Sequence, residues 1–146
     1  MKLAQIQMHV TADKAANLRH AEELLRSVRG ADMAILPEMF CCPYDNSCFR
    51  AYGEPAGGAA YQMLSRAARE LGLWLVGGSL PELDDGRVYN TSFVFDPQGT
   101  CVARHRKMHL FDIDVEGGQR FRESDTLSPG DDVTLFDTPW GRMGLC

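Results

Sequence analysis

The chain has 146 residues, 45% of them hydrophobic and 24% charged, which is the make-up of one globular domain able to bury about 70% of its unfolded surface and excludes a disordered or fibrous protein. A net charge of −5 with a pI near 5.3, and 15 basic residues scattered apart from the short run Arg104-His105-Arg106-Lys107, excludes an electrostatic footprint for nucleic acid. No apolar run reaches the length of about 18 residues that a membrane span needs.

Residues 2–10 alternate polar and apolar and read as a half-buried strand. They lack the apolar core, about 7 to 15 residues long, of a signal peptide, so a soluble cytoplasmic protein is expected. Thr11 is placed to cap a helix whose apolar positions Ala15, Leu18, Ala21, Leu25 and Val28 keep helical spacing until Gly30 stops it. Met33-Ala34-Ile35-Leu36 follows as a buried strand broken by Pro37, and residues 38–55 form a loop rich in Cys, Pro, Tyr and Asn. A second helix is predicted over residues 59–71, with Leu64, Ala67, Ala68 and Leu71 on one face and Gly72 as its stop. Residues 73–80, beginning LWLVGG, read as the next strand.

The turn signal Asp84-Asp85-Gly86 precedes two strands, residues 88–95 and 100–105, expected to pair antiparallel about Asp96-Pro97-Gln98-Gly99. Residues 106–132 are polar, with Gly117-Gly118 and Pro129-Gly130, and read as irregular. Residues 133–137 and 142–146 look like strands joined by Pro139-Trp140-Gly141. No repeat, low-complexity tract or linker interrupts the chain, so residues 1–146 read as part of a single domain of mixed α/β class.

Five cysteines, an odd number, with Cys41 and Cys42 adjacent and no C-x-x-C pair or suitably spaced histidine, argue against a disulfide framework and against a structural metal site. Reduced thiols are expected. A Cys/His hydrolase built from Cys41, Cys42 or Cys48 with His105 or His109 is conceivable, but no local pattern supports it.

Three positions stand out for chemistry: Glu38 at the exit of a buried strand, Lys107 at the end of another, and Glu123 in F-R-E-S. Taken singly, Glu38 reads as a solvated loop carboxylate and Lys107 as a surface charge. Glu123 reads as the partner of Arg120 or Arg122 in an exposed pair worth about 0–1 kcal/mol. Spacing alone does not assemble them into one site.

Several ordered motifs do so by resemblance. Leu36-Pro37-Glu38-Met39-Phe40, Pro43-Tyr44, Gly77-Gly78-Ser79, Tyr89-Asn90-Thr91, the block from Arg106-Lys107-Met108-His109 to Asp112-Ile113-Asp114-Val115, and Glu123-Ser124 span nearly the whole chain. Together they resemble the motifs of the nitrilase superfamily of carbon-nitrogen hydrolases. The HLFDIDV block followed by E-S-x-T-L-S-P-G resembles the ω-amidase branch more closely than nitrilases, carbamoylases or deaminated-glutathione amidases.

The resemblance implies a four-layer α-β-β-α sandwich of which this chain holds about half. It also implies hydrolysis of small ω-monoamides of dicarboxylic acids, such as 2-oxoglutaramate, through a cysteine thioester. A free thiol, with a pKa of about 8.5, is mostly protonated at neutral pH and needs a local base, which would be Glu38. The oxyanion formed on attack needs a fixed cation, which would be Lys107, and Glu123 would hold that lysine. Tyr44 matches a pocket-lining tyrosine of similar enzymes, with packing against the loop as the alternative. Neither metal nor organic cofactor is implied, and homodimers or larger homo-oligomers are expected.

Alignment of Gly141-Arg142-Met143-Gly144-Leu145 with the family pattern puts Cys146 on a small residue and the nucleophile two positions later. Cys146 is therefore expected to be a small buried core residue; a natural protein of mass near twice 16.2 kDa would carry the nucleophile, and one of 16.2 kDa could not run the family's reaction. Two alternatives stay open: another amidase of the superfamily, acting on deaminated glutathione or an N-carbamoyl compound, and a non-catalytic remnant that pairs with a partner.

Overall fold

A computed structural model describes residues 1–146. Its centre is a six-stranded mixed sheet in which β1 (Leu3–Gln5), β2 (Met33–Ile35) and β3 (Trp74–Val76) run parallel. The long strand β5 (Arg87–Phe95) is antiparallel to β3 and β4 (Leu80–Asp84) on one edge and to β6 (Cys101–Arg106) on the other. Helices α1 (Lys14–Ser27) and α3 (Ala59–Leu71) supply the crossovers that parallel pairing requires.

Side-chain alternation divides the sheet cleanly. Ala34, Leu36, Leu75, Phe93 and Phe95 face Ala21 and Leu25 of α1 and Met63, Leu64 and Ala67 of α3. Met33, Val76 and Val94 face the other way, onto Phe136. Each fully buried Leu or Phe contributes roughly 1.5–3 kcal/mol by leaving water. Phe136 belongs to the hairpin of β9 (Thr134–Thr138) and β10 (Gly141–Leu145), which lies as a second sheet on this face. The layers in this chain are thus α-β-β. No helix is long and apolar enough to cross a membrane.

Several elements differ from the sequence reading. The first strand pairs only over Leu3–Gln5, because β2, its neighbour, ends at Ile35 just before Pro37. Asp13, not Thr11, caps α1, accepting from the Ala16 N–H at 2.9 Å; Thr11 is held instead by buried Asn17. The predicted strand over residues 73–80 splits at Gly77-Gly78-Ser79 into β3 and β4, which share one edge of β5. Asp85 and Gly86, both at positive φ, then form the tight turn of the β4–β5 hairpin.

The loop over residues 38–55 contains α2 (Asn46–Tyr52), capped by Asp45 and anchored by buried Phe49. The polar stretch contains a small hairpin of β7 (Asp112–Asp114) and β8 (Arg120–Arg122), in which Asp112 opposes Arg122 and Asp114 opposes Arg120. Opposite charges across a strand pair stabilise it, and apolar patterning does not show that.

Candidate active site

Glu38 lies just beyond β2, where Pro37 ends the strand. The next residue, Met39, has a φ of +49°, rare for a side chain that size. The conformation is held by the Gly77–Ser79 break: Ser79 Oγ accepts from the Met39 N–H at 3.0 Å, its carbonyl accepts from Phe40 N–H, and its own N–H donates to the Pro37 carbonyl. Gly78, at a φ of +58°, lies so close to this loop that a Cβ there would stand 2.0 Å from the Pro37 carbonyl oxygen. The GGS break is therefore what lets the Glu38 loop dock.

Lys107 follows β6 directly. Its N–H donates to the Asn90 carbonyl at 2.8 Å and its carbonyl accepts from Gly130 N–H at 3.0 Å. The strand before it is pinned by fully buried Glu82, which binds Arg104 and Arg106. Arg106 also lies 3.6 Å above the Tyr89 ring.

Glu123 opens a 3-10 turn over Glu123–Asp125 and is completely buried. Its N–H donates to the Phe111 carbonyl, and its carboxylate accepts from Phe111 N–H and from the Tyr44 hydroxyl, each at 2.5 Å. The expected pairing with Arg120 or Arg122 does not occur: those arginines pair with Asp114 and Asp112 across the small hairpin, while Glu123 points inward.

The three residues meet. Lys107 Nζ lies 3.0 Å from Glu38 Oε1 and 3.0 Å from Glu123 Oε2. Burial pulls the ammonium toward its neutral form, but the hydrogen bonds and charges of Glu123 and Glu38 outweigh it and hold the pKa above the ordinary lysine value. The two carboxylates differ in access. Glu123 is sealed, whereas the Glu38 side chain is 47% exposed and lines a cavity of about 390 Å³ together with Ser79, Asn90, His105, Lys107 and Cys146. A molecule in that cavity can exchange a proton with Glu38 and rest an oxygen on Lys107, but it cannot reach Glu123.

A family model for carbon-nitrogen hydrolase matches residues 2–146. The chain belongs to the carbon-nitrogen hydrolase family. It is 47% identical to the omega-amidase NIT2 of Danio rerio and 49% identical to that of Bos taurus, in each case over 99% of this chain and 53% of the relative. Among solved structures it resembles Saccharomyces cerevisiae Nit3, a member of branch 10 of the nitrilase superfamily, with a TM-score of 0.83 and 35% identity over 99% of this chain and 54% of that one. The Caenorhabditis elegans NitFhit protein gives a TM-score of 0.80 at 26% identity, over 98% of this chain and 36% of that one. The chain spans about half the length of the curated relatives it matches.

In this carbon-nitrogen hydrolase, Tyr44 is not among the residues of this chain that line the cavity, and packing against the loop, the other reading of it, is what the chain shows. Its ring packs against Phe49 and Phe121, and its hydroxyl reaches the site from behind, through Glu123. Burial and that hydrogen bond push the phenol well above its usual pKa, so it stays a donor. Cys146, expected as a small buried core residue, is exposed in this chain and lines the cavity. Cys41 and Cys42 are buried with their thiols pushed up to about 12, chiefly by desolvation, and neither they nor Cys48 line the cavity that holds His105 and His109. This removes the Cys/His alternative. No cluster of three or more His, Cys, Asp or Glu side chains is arranged to hold a metal ion.

Sequence reasoning noticed Asn90 and Ser79 only as parts of motifs. The available signal was Asn90 inside the strand VYNTSFVF, since asparagine is depleted from strand interiors.

Proposed function

We propose that the protein carrying this chain hydrolyses the amide C–N bond of small ω-monoamides of dicarboxylic acids, 2-oxoglutaramate among them, to the dicarboxylate and ammonia. The observation behind this reading is one ammonium held at 3.0 Å from two carboxylates, of which only Glu38 opens on the cavity. The ω-amidase names of relatives at 47% and 49% identity support the substrate class.

In this reading the thiol comes from the second position after Cys146. Glu38 takes the thiol proton as sulfur attacks the amide carbonyl, and Lys107 stabilises the oxygen that becomes negative. Glu38 returns the proton to nitrogen, ammonia leaves, and a thioester remains. Glu38 then takes a proton from water, which attacks the thioester and releases the carboxylate and the thiol. Glu123 keeps Lys107 charged and aimed, and Tyr44 keeps Glu123 in place. By the same resemblance the protein works in the cytoplasm as a homodimer or larger homo-oligomer.

The test is steady-state hydrolysis by the full-length protein, with ammonia release as readout. Glu38→Gln and Lys107→Ala each abolish turnover without unfolding the protein. Near wild-type turnover in either variant refutes the mechanism, and a preference for deaminated glutathione or N-carbamoyl compounds refutes the ω-monoamide assignment.

A further inference from the structure

We infer that Asn90 is the positioning residue that decides which oxygen of Glu38 carries the proton. The inference rests on the proposed role of Glu38 as base and goes one step further, to the atom that does the work.

Asn90 sits in β5 with 3% of its surface exposed. Its side-chain Nδ2 donates to Glu38 Oε1 at 2.7 Å, and the same oxygen accepts from Lys107 Nζ at 3.0 Å. The Asn90 carbonyl meanwhile accepts from the Lys107 N–H at 2.8 Å. One residue thus ties the base to the ammonium and fixes the lysine's backbone.

The orientation of the amide follows from charge. An ionised carboxylate only accepts, so the NH2 end must face Glu38. The other end, Oδ1, is buried with no partner among the groups of this chain. The orientation adopted favours the carboxylate.

The consequence lies in Oε1 itself. Two donors occupy it, whereas no group of this chain donates to Oε2. A proton arriving at Glu38 therefore goes to Oε2, and Asn90 keeps that oxygen turned away from the lysine. Because asparagine is neutral, it does this without competing with Glu38 for the charge of Lys107.

The experiment compares Asn90→Ala and Asn90→Asp with wild type and Glu38→Gln in the full-length protein, measuring kcat and KM across pH, with circular dichroism to confirm folding. Asn90→Ala should lower kcat roughly 10- to 100-fold with little change in KM, as a loosened base loses its aim. Asn90→Asp keeps the shape but sets a second carboxylate against Glu38. Like charge disfavours the ionised base, so the acid limb of kcat/KM should move up by roughly one pH unit or more. If both variants keep the wild-type kcat and pH profile while Glu38→Gln is inactive, the inference is overturned and the role of Glu38 stands. A lower kcat with an unmoved acid limb in Asn90→Asp also overturns it, since that is what a purely structural asparagine would give. If wild type does not hydrolyse the amide, or Glu38→Gln stays active, the reading of the site fails first and takes the inference with it.

Discussion

Replacing Glu123 with alanine tests the site without depending on its chemistry. Glu123 Oε2 stands 3.0 Å from Lys107 Nζ, and at an effective dielectric of ~20 that pair attracts by about 5.5 kcal/mol. The change also strips acceptors from the Tyr44 hydroxyl and the Phe111 N–H, both part-buried, each costing about 1 kcal/mol. Against this, removing a buried carboxylate recovers several kcal/mol of desolvation, and Lys107 keeps Glu38. The net loss is about 3 kcal/mol. Glu123→Gln should lose about half as much. Its oxygen can serve Phe111 and Lys107 while its NH2 turns toward the Tyr44 oxygen, so only the charge is gone. The assay is urea denaturation of the native protein followed by circular dichroism. A Glu123→Ala variant within about 0.5 kcal/mol of wild type, the usual range for surface changes, would refute the account of Glu123 as the buried half of the pair.

The sign of the pH dependence follows from Lys107. Its folded pKa lies above the ordinary 10.5, so the stabilisation is fully present below pH 10.5 and is lost as pH rises through the folded value; the stability gap between wild type and Glu123→Ala should narrow in strong alkali when both are titrated. Gly78→Ala should destabilise by at least about 2–4 kcal/mol in the same denaturation assay, because the new Cβ meets backbone oxygen at 2.0 Å and the φ of +58° disfavours any side chain. With thiols pushed up to about 12, Cys41 and Cys42 should react with iodoacetamide at pH 8 roughly 10³-fold more slowly in the folded protein than after unfolding, read by mass spectrometry. Leu75→Ala, in the fully buried centre of the sheet, should cost about 2–5 kcal/mol in urea.

The candidate site was legible only through its motifs. Glu38 and Lys107 were named from strand exits, but nothing in their spacing distinguishes a charge that meets a partner from one that faces water. The contact between them spans 69 residues and depends on β2 and β6 lying in one sheet with β5 between β3 and β6. Glu123 was hardest to place, since two arginines adjoin it in sequence and would satisfy it locally. The small hairpin uses those arginines for Asp112 and Asp114, which leaves Glu123 for the interior.

What the sequence by itself determined is whatever rests on short-range periodicity and turn chemistry. Helix α3 ends at Gly72 as its spacing predicts, and the β5–β6 pair turns about Asp96–Gly99. The α/β class follows from that alternation. Tertiary structure decided the rest: which edge of β5 takes β3 and β4, where Gly78 must yield room to Pro37, and which oxygen each donor reaches. Local patterns report whether a residue faces water or protein, because that preference is set within a turn or a strand. The identity of the atom it meets is set by close packing of segments far apart in the chain, and no local pattern encodes it.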